Sequence, residues 1–319
     1  MKVPFFQLDA FTDTPFGGNP AGVVPLIPKQ GQTEFAPKLT EEDMKKIARE
    51  INCSETAFIY PAKDPSATFN VRFFTPTEEV DICGHATIAT FWLLGTEGYI
   101  KLDKPLTTII QETKAGNLPV ALYTDDKKQL KNIMMDMAEP IFKTSPLSRE
   151  EIGEILKVPQ DSIRIPENSD IKPIIASTGL PDLLVPIRDL KTLERLSPEM
   201  DKLASISREH GFISIHPFTF DTVSTDSTVH CRDFAPSVGI DEESATGTAS
   251  GALGAYLTNY KYIPLHTPIT TIICEQGYTM KRPSTIIVEA HIDDTDKSTL
   301  KNIKVGGRAV KVMEGFINL

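Results

Sequence analysis

Apolar positions along this chain follow two periods. "FFQLDAF" at 5–11 and "AGVVPLI" at 21–27 are short apolar, β-branched runs separated by a Gly/Pro turn, which predicts two strands. "LTEEDMKKIAREI" at 39–51 sets Leu39, Met44, Ile47 and Ile51 near helical spacing. It follows a Thr40 cap and an acidic first turn, which predicts an amphipathic helix. "TAFIYPA", "FNVRFFTP", "TTIIQET", "LPVALYT" and "KNIMMDM" read as further strands. Between them "HATIATFWLLG", 85–95, has helical length and ends at a glycine. It is apolar nearly all round, the signature of a helix buried on every side.

The pattern then repeats. "GNPAGVVPL" at 18–26 aligns with "GLPDLLVPI" at 179–187, and "LTEEDMKKIARE" at 39–50 with "LSPEMDKLASISRE" at 196–209. Each helical segment opens with Leu and a Thr or Ser cap candidate. "FTP" at 74–76 returns as "FAP" at 234–236, Gly84 as Gly247, and "LKNI" at 130–133 as "LKNI" at 300–303. Five matches occur in one order, with offsets drifting only from 157 to 170. They predict two equivalent halves, residues 1–140 and 141–319, with terminal strands able to cross between them. Each half reads as strands around one buried helix, with an amphipathic helix outside.

Composition narrows the classes of function. The 319 residues are enough for one large or two medium domains. A formal net charge of −10 with no Lys/Arg-rich run argues against a nucleic-acid or anionic-membrane partner. No apolar stretch is long enough to span a membrane, and the N-terminus lacks the pattern of a signal peptide. Cys53, Cys83, Cys231 and Cys274 form no CxxC pair, and no His cluster has zinc spacing. The resulting expectation is a cytoplasmic protein with free thiols and no metal.

Chemistry concentrates at the two buried helix starts, Gly84-His85-Ala86-Thr87 and Gly247-Thr248-Ala249-Ser250. The first N–H groups of a helix have no intrahelical partner, and the macrodipole adds positive charge there. Glycine lets a ligand approach the backbone. Two such starts facing each other across a domain interface would hold a small carboxylate. The plainer reading is that both glycines serve only close helix packing.

Several longer segments together are specific: "LDAFTDTPFGGNPAGVV" at 8–24, "SETAFI" at 54–59, "VRFFTPTEEVDICGHAT" at 71–87, "CRDFAPSVGIDEESATGTA" at 231–249 and "VGGRAVKVMEG" at 305–315. On these the chain resembles the PhzF-like isomerases of the phenazine-biosynthesis type, which are similar in fold to diaminopimelate epimerase. The resemblance implies an α/β (α+β) fold of two pseudo-equivalent domains. Each is a curved sheet or half-barrel around a central buried helix, and the site lies in the cleft between them. It also implies a homodimer, a small carboxylic acid substrate and no cofactor.

Carried over residue by residue, the family's acid/base glutamate falls on Glu55 and its glycine-histidine pair on Gly84 and His85. Its cleft aspartate falls on Glu243 and its serine on Thr248, beside Gly247. Two of these depart from the family pattern. Glu243 is one methylene longer than aspartate, and Thr248 replaces serine; Ser244 also stands where proline is usual. Asn19 is expected to shape a turn beside the cleft. Arg232 is open to pairing with a substrate acid or to a structural salt bridge.

The local offset of 159 pairs Glu55 with Ser214, so the acid is asymmetric on a symmetric frame, as a one-base proton shuttle requires. Epimerase-like enzymes with two opposing thiols place cysteines before both glycines. Here Cys83 precedes Gly84, but Thr246 precedes Gly247. The leading expectation is an isomerase that moves a carbon-bound proton by one-glutamate acid/base catalysis. The alternatives are an amino-acid epimerase or racemase using Cys83, and a non-catalytic small-acid-binding protein.

Overall fold

The computed structural model describes residues 2–32 and 38–319. The chain divides into two compact units, Met1–Asp136 with Gly306–Leu319, and Met137–Val305. The first unit begins with β1 (Lys2–Ala10), β2 (Asn19–Pro25), α1 (Glu41–Ile51), β3 (Glu55–Pro61), β4 (Phe69–Phe74) and β5 (Glu79–Val80). It continues with α2 (Gly84–Thr96), β6 (Leu106–Thr113), β7 (Gly116–Thr124) and β8 (Leu130–Asp136). The second opens with β9 (Ile141–Thr144), α3 (Arg149–Leu156), β10 (Ile174–Ser177), β11 (Pro181–Pro186), α4 (Leu190–Glu194) and α5 (Met200–His210). Then come β12 (Ser214–Thr219), β13 (Val229–Cys231), α6 (Gly247–Asn259), β14 (Ile269–Gln276), β15 (Ser284–Ile292) and β16 (Leu300–Gly307). The last strand, β17 (Ala309–Asn318), belongs to the first unit, where it runs antiparallel to β1.

Each unit is built by the same sequence of pairings. In the first, β1 pairs antiparallel with β2, β2 parallel with β3, β3 antiparallel with β4, β4 parallel with β6, and β6 antiparallel with β7. In the second, β10–β11, β11–β12, β12–β13, β13–β14 and β14–β15 alternate in the same way. Registers match as well. Ala21 lies opposite Glu55 in one unit, and Asp182 opposite Ser214 in the other.

Side-chain interactions repeat with the strands. Arg72 forks onto Glu79 at 2.7 and 2.8 Å and lies over the Phe74 ring, 5.1 Å from its centroid. Arg232 forks onto Glu242, both contacts at 2.8 Å, and lies 4.7 Å from the Phe234 centroid. Glu112 accepts from the backbone N–H groups of Lys63 and Asp64 at 2.7 and 3.3 Å. Glu275 accepts from those of Val223 and Ser224, at 2.9 and 2.7 Å. These pairs recur about 160 residues on, as the sequence repeat does. Arg232 is 7% exposed and also donates to the carbonyls of Leu193, Glu194 and Leu196. Its role is structural.

The two apolar helices are buried as their sequences require. In α2 every residue from His85 to Phe91 is buried, and in α6 every residue from Ala249 to Thr258. Strands β1, β2, β3, β7, β8 and β17 pack around α2, and β10, β11, β14 and β15 around α6. The amphipathic α1 and α5 turn only part of their surface inward: Met44, Ile47 and Ala48 in α1, and Leu203, Ala204 and Ser207 in α5.

Two local expectations are corrected. The first buried helix does not stop at Gly95 but runs to Thr96, because Gly95 has ordinary helical backbone and packs near Leu130 and Leu102. Thr40 caps α1 with a reciprocal box to Asp43, but α5 has no such cap. Its N-cap position falls on Glu199, two residues past Ser197, and makes no side-chain cap.

Packing around α6 is tight. A Cβ on Gly254 would lie 2.6 Å from Val288 Cγ1. Gly254→Leu should therefore cost about 1–3 kcal/mol by overpacking. Thr40→Ala should cost about 1 kcal/mol by uncapping α1. Urea denaturation of both variants checks the pair. A Gly254→Leu protein as stable as wild type would show that α6 is not held against β15.

Candidate active site

In the first unit, α1 ends at Asn52 in the left-handed conformation, with φ at 55°. Two residues separate this turn from β3, which is fixed by parallel pairing to β2. Glu55 is the first residue of that strand, so its position is set by a helix stop and a strand register together. The start of α2 supplies Cys83, Gly84 and His85.

Here the structure brings Glu55, Cys83 and His85 together with Ser54. His85 Nε2 lies 3.3 Å from Glu55 Oε2 and 3.2 Å from Ser54 Oγ. Cys83 Sγ is 3.5 Å from Nδ1 and 3.9 Å from Nε2 of the same ring. Near-equal distances to both nitrogens place the sulfur over the imidazole face, off either lone-pair axis. The Glu55 side chain retains 18% of its surface, whereas His85 is buried. Burial holds the His85 imidazole below its ordinary value, and the Glu55 charge only partly offsets this. Among the described residues, Glu55, Cys83 and His85 offer ligand atoms within 4.8 Å of one another. Carboxylate, thiolate and imidazole are donors that zinc accepts. Seating all three on one ion would require the sulfur to leave the ring face.

Gly84 resolves one of the alternatives left by the sequence. A Cβ there would meet nothing within 4 Å, and its φ is not in the left-handed region. Neither packing nor backbone conformation requires glycine at this position. Cys83, the N-cap, makes no side-chain cap to α2.

In the second unit, α6 begins the same way. Its N-cap Thr246 makes no side-chain cap to the helix. The Thr246 hydroxyl contacts Glu243 Oε2 at 3.2 Å, and Gln276 Nε2 donates to Thr246 Oγ1 and to the Glu243 carbonyl, at 3.0 and 2.8 Å. Gln276 Oε1 accepts from the Thr246 N–H at 3.2 Å. Gln276 thus braces the segment carrying Glu243 into Gly247 and Thr248. The Thr248 carbonyl accepts from Thr178 at 3.3 Å. Asn19, at the start of β2, is buried and registered against Ala10.

Sequence reasoning missed Gln276 and a buried polar group on β11, β12 and the segment after β13. Ser214 Oγ lies 2.9 Å from Asp182 Oδ1 and 2.8 Å from Asp233 Oδ1, and His216 Nδ1 lies 2.9 Å from the same Asp233 oxygen. One signal was readable: Asp182 interrupts the apolar run "GLPDLLVPI", where the first repeat has Ala21. Nothing local marks Gln276, whose partners lie about 30 residues away.

With this geometry in view, comparison with known proteins is decisive. Residues 8–315 match the family model described as phenazine biosynthesis-like protein. The chain belongs to that family. An uncharacterized isomerase of Clostridium acetobutylicum is 36% identical over 322 residues, covering 100% of this chain and 99% of the relative. The uncharacterized isomerase YddE of Escherichia coli K12 is 32% identical, covering 97% and 96%. A PhzF-family protein of Bacillus anthracis has a crystal structure similar at a TM-score of 0.84, with 30% identity and full coverage of both chains. A hydroxyproline epimerase of Agrobacterium vitis shares the fold at a TM-score of 0.60 and 13% identity, covering 99% and 92%. The protein is therefore an isomerase of the phenazine biosynthesis-like family, with the pseudo-two-domain epimerase fold. Among its described residues no helix is long and apolar enough to cross a membrane.

The buried His85 has a consequence for stability. Its folded-state value lies below the ordinary 6.5, so below that pH the unfolded chain binds a proton that the folded chain refuses. The contribution is complete above 6.5 and declines as pH falls toward the folded value, by at most about 1.4 kcal/mol per pH unit. In His85→Gln that part of the decline should vanish. Denaturation across mildly acidic pH checks this: wild type and variant should converge as pH falls, and parallel curves would contradict a buried, proton-refusing His85.

Proposed function

We propose that this isomerase shifts a carbon-bound proton on a small carboxylic or amino acid, without a cofactor, using Glu55 as both acid and base. The carrying observation is the Glu55 carboxylate 3.3 Å from a buried His85, beside a Gly84 whose Cα faces open space. In this reading a substrate carboxylate or carbonyl sits against the first N–H groups of α2, which have no intrahelical partners. Glu55 takes the proton: the C–H bond breaks, an O–H bond forms on the glutamate, and negative charge spreads onto the substrate. The helix amides and the His85 ring, whose burial favours the neutral form, stabilise that charge. Glu55 then returns the proton at another carbon or on the other face.

Cys83 is the weaker base here. Its sulfur lies over the imidazole, and its repeat counterpart, Thr246, carries a hydroxyl too weakly acidic to serve as an opposing base. In the second unit Glu243 is proposed as catalytic, and Gly247 and Thr248 as binding residues. Asn19 and Cys83 are proposed as binding residues in the first unit.

The test is incubation with a panel of small carboxylic, hydroxy and amino acids in D₂O, with deuterium uptake read by mass spectrometry. Substrate-dependent uptake is expected for at least one acid. Glu55→Gln should fold normally and slow that uptake by about 10²-fold or more. Cys83→Ala should slow it far less. Near-wild-type exchange in Glu55→Gln with a dead Cys83→Ala would replace the glutamate mechanism by a thiol one. Binding without uptake for any acid would favour a non-catalytic acid-binding protein.

A further inference from the structure

The buried group on β11, β12 and the segment after β13 contains more acceptors than hydrogens. A serine hydroxyl has one hydrogen, yet Ser214 Oγ lies within 2.9 Å of carboxylate oxygens on both Asp182 and Asp233. If both carboxylates were ionised, one of these contacts would set lone pair against lone pair in a buried site. Asp182 and Asp233 are 2% and 1% exposed, and His216 is fully buried. At least one further proton must therefore reside in the group.

Geometry locates it. Asp233 Oδ1 receives two contacts, from Ser214 and from His216 Nδ1, and is the group's natural acceptor. Asp182 Oδ2 is buried and has no hydrogen-bond partner. An ionised Asp182 would leave that oxygen's charge bare, whereas a neutral acid leaves only a weak carbonyl acceptor. One arrangement satisfies every contact: Asp182 O–H donates to Ser214 Oγ, Ser214 O–H to Asp233 Oδ1, and His216 Nδ1–H to the same oxygen.

We propose that Asp182 is a positioning residue that holds a proton through this Ser214–Asp233–His216 chain. Three observations beyond the hydrogen count support the assignment. Asp182 and Ser214 occupy, in the second unit, the paired register positions that Ala21 and Glu55 occupy in the first. The second unit therefore keeps an acid at this pair of positions, moved from one strand to its neighbour. The Glu243 N–H donates to the Asp233 carbonyl at 3.0 Å, tying the group to the segment that opens α6. Burial, then the charge of Asp233, hold the Asp182 carboxyl well above the usual carboxylate range, with Glu243 adding to the rise. The charged groups that act on Asp182 are Asp233 and Glu243, and His216 pairs with Asp233. The held proton does not rest on the reading of Glu243 as a site residue.

The experiment is carbon NMR of protein labelled at the aspartate side-chain carboxyl, titrated from mild acid to mild alkali. One aspartate resonance should remain at the neutral-acid position at neutral pH, and Asp182→Asn should remove that resonance alone. Asparagine can donate to Ser214 as the neutral acid does, so this variant should fold. Glu243→Gln, which removes a neighbouring charge, should move the same resonance's titration to lower pH, and Glu243→Asp should restore it. If no aspartate is neutral at neutral pH, or if the neutral one survives Asp182→Asn, the held proton is refuted. If Glu243→Gln leaves its titration unmoved, the Glu243 charge has no part in holding the proton. None of these readings depends on turnover, so failure here is distinct from failure of the Glu55 mechanism.

Discussion

A helix that is apolar around its whole circumference cannot rest on a surface, and this constraint governs both units. Burying α2 on every side needs strands on every side, and six of them, from both ends of the chain, supply the wall. The return of β17 to pair with β1 follows from the same demand, since the two terminal strands and four others of the first unit close around one helix. The cost is paid in freedom of shape. Small residues on α6 are fixed by contact, as Gly254 is by Val288, so the helix cannot rotate or slide. A helix so held presents its first turn in one orientation, which is what a site built on backbone N–H groups needs.

The two units show which parts of the repeated frame serve folding and which do not. The Arg–Glu forks and the glutamates that collect backbone N–H groups recur at matching places, and each satisfies donors that would otherwise be costly to bury. Such interactions are retained in both units because both units need them. The acids near the buried helix starts do not recur. Glu55 faces Ala21 across β3 and β2, while Ser214 faces Asp182 across β12 and β11. A carboxylate with only a scaffold role would have no reason to differ between two copies of one frame.

Much of this was legible in the sequence because it is written locally. Strand runs, the Thr40–Asp43 box and the apolar character of α2 and α6 are properties of consecutive residues. The repeat was legible because its offsets drift slowly. The absent cap on α5 was not, because "LSPEM" offers a serine but the helix begins two residues later, after Glu199. Gln276 and the Asp182 group were hidden for a related reason. Their partners are brought close by strand register rather than by spacing, so no short motif carries them. Gly84 shows the reverse: the sequence allowed both packing and approach, and only the space around its Cα separates them.

An acidic protein would seem a poor host for an acidic ligand, with 43 acidic residues against 33 basic ones. Screening settles the matter. Beyond about 8–10 Å at physiological salt, surface charges contribute little, so a carboxylate responds to the groups immediately around it. At the α2 start those groups are backbone donors, a buried imidazole and one glutamate. On the proposed reading Glu55 is an anion that must be reconciled with the ligand, and a shared or transferred proton reconciles it. In the second unit Asp182 and Asp233 are buried beside Ser214, where their mutual repulsion is poorly screened by solvent, and the half-buried Glu243 adds to the rise at Asp182. Holding a proton on one of them lowers that local negative charge. The proposed proton storage and the proposed acid recognition both follow from how far local burial removes carboxylates from solvent screening.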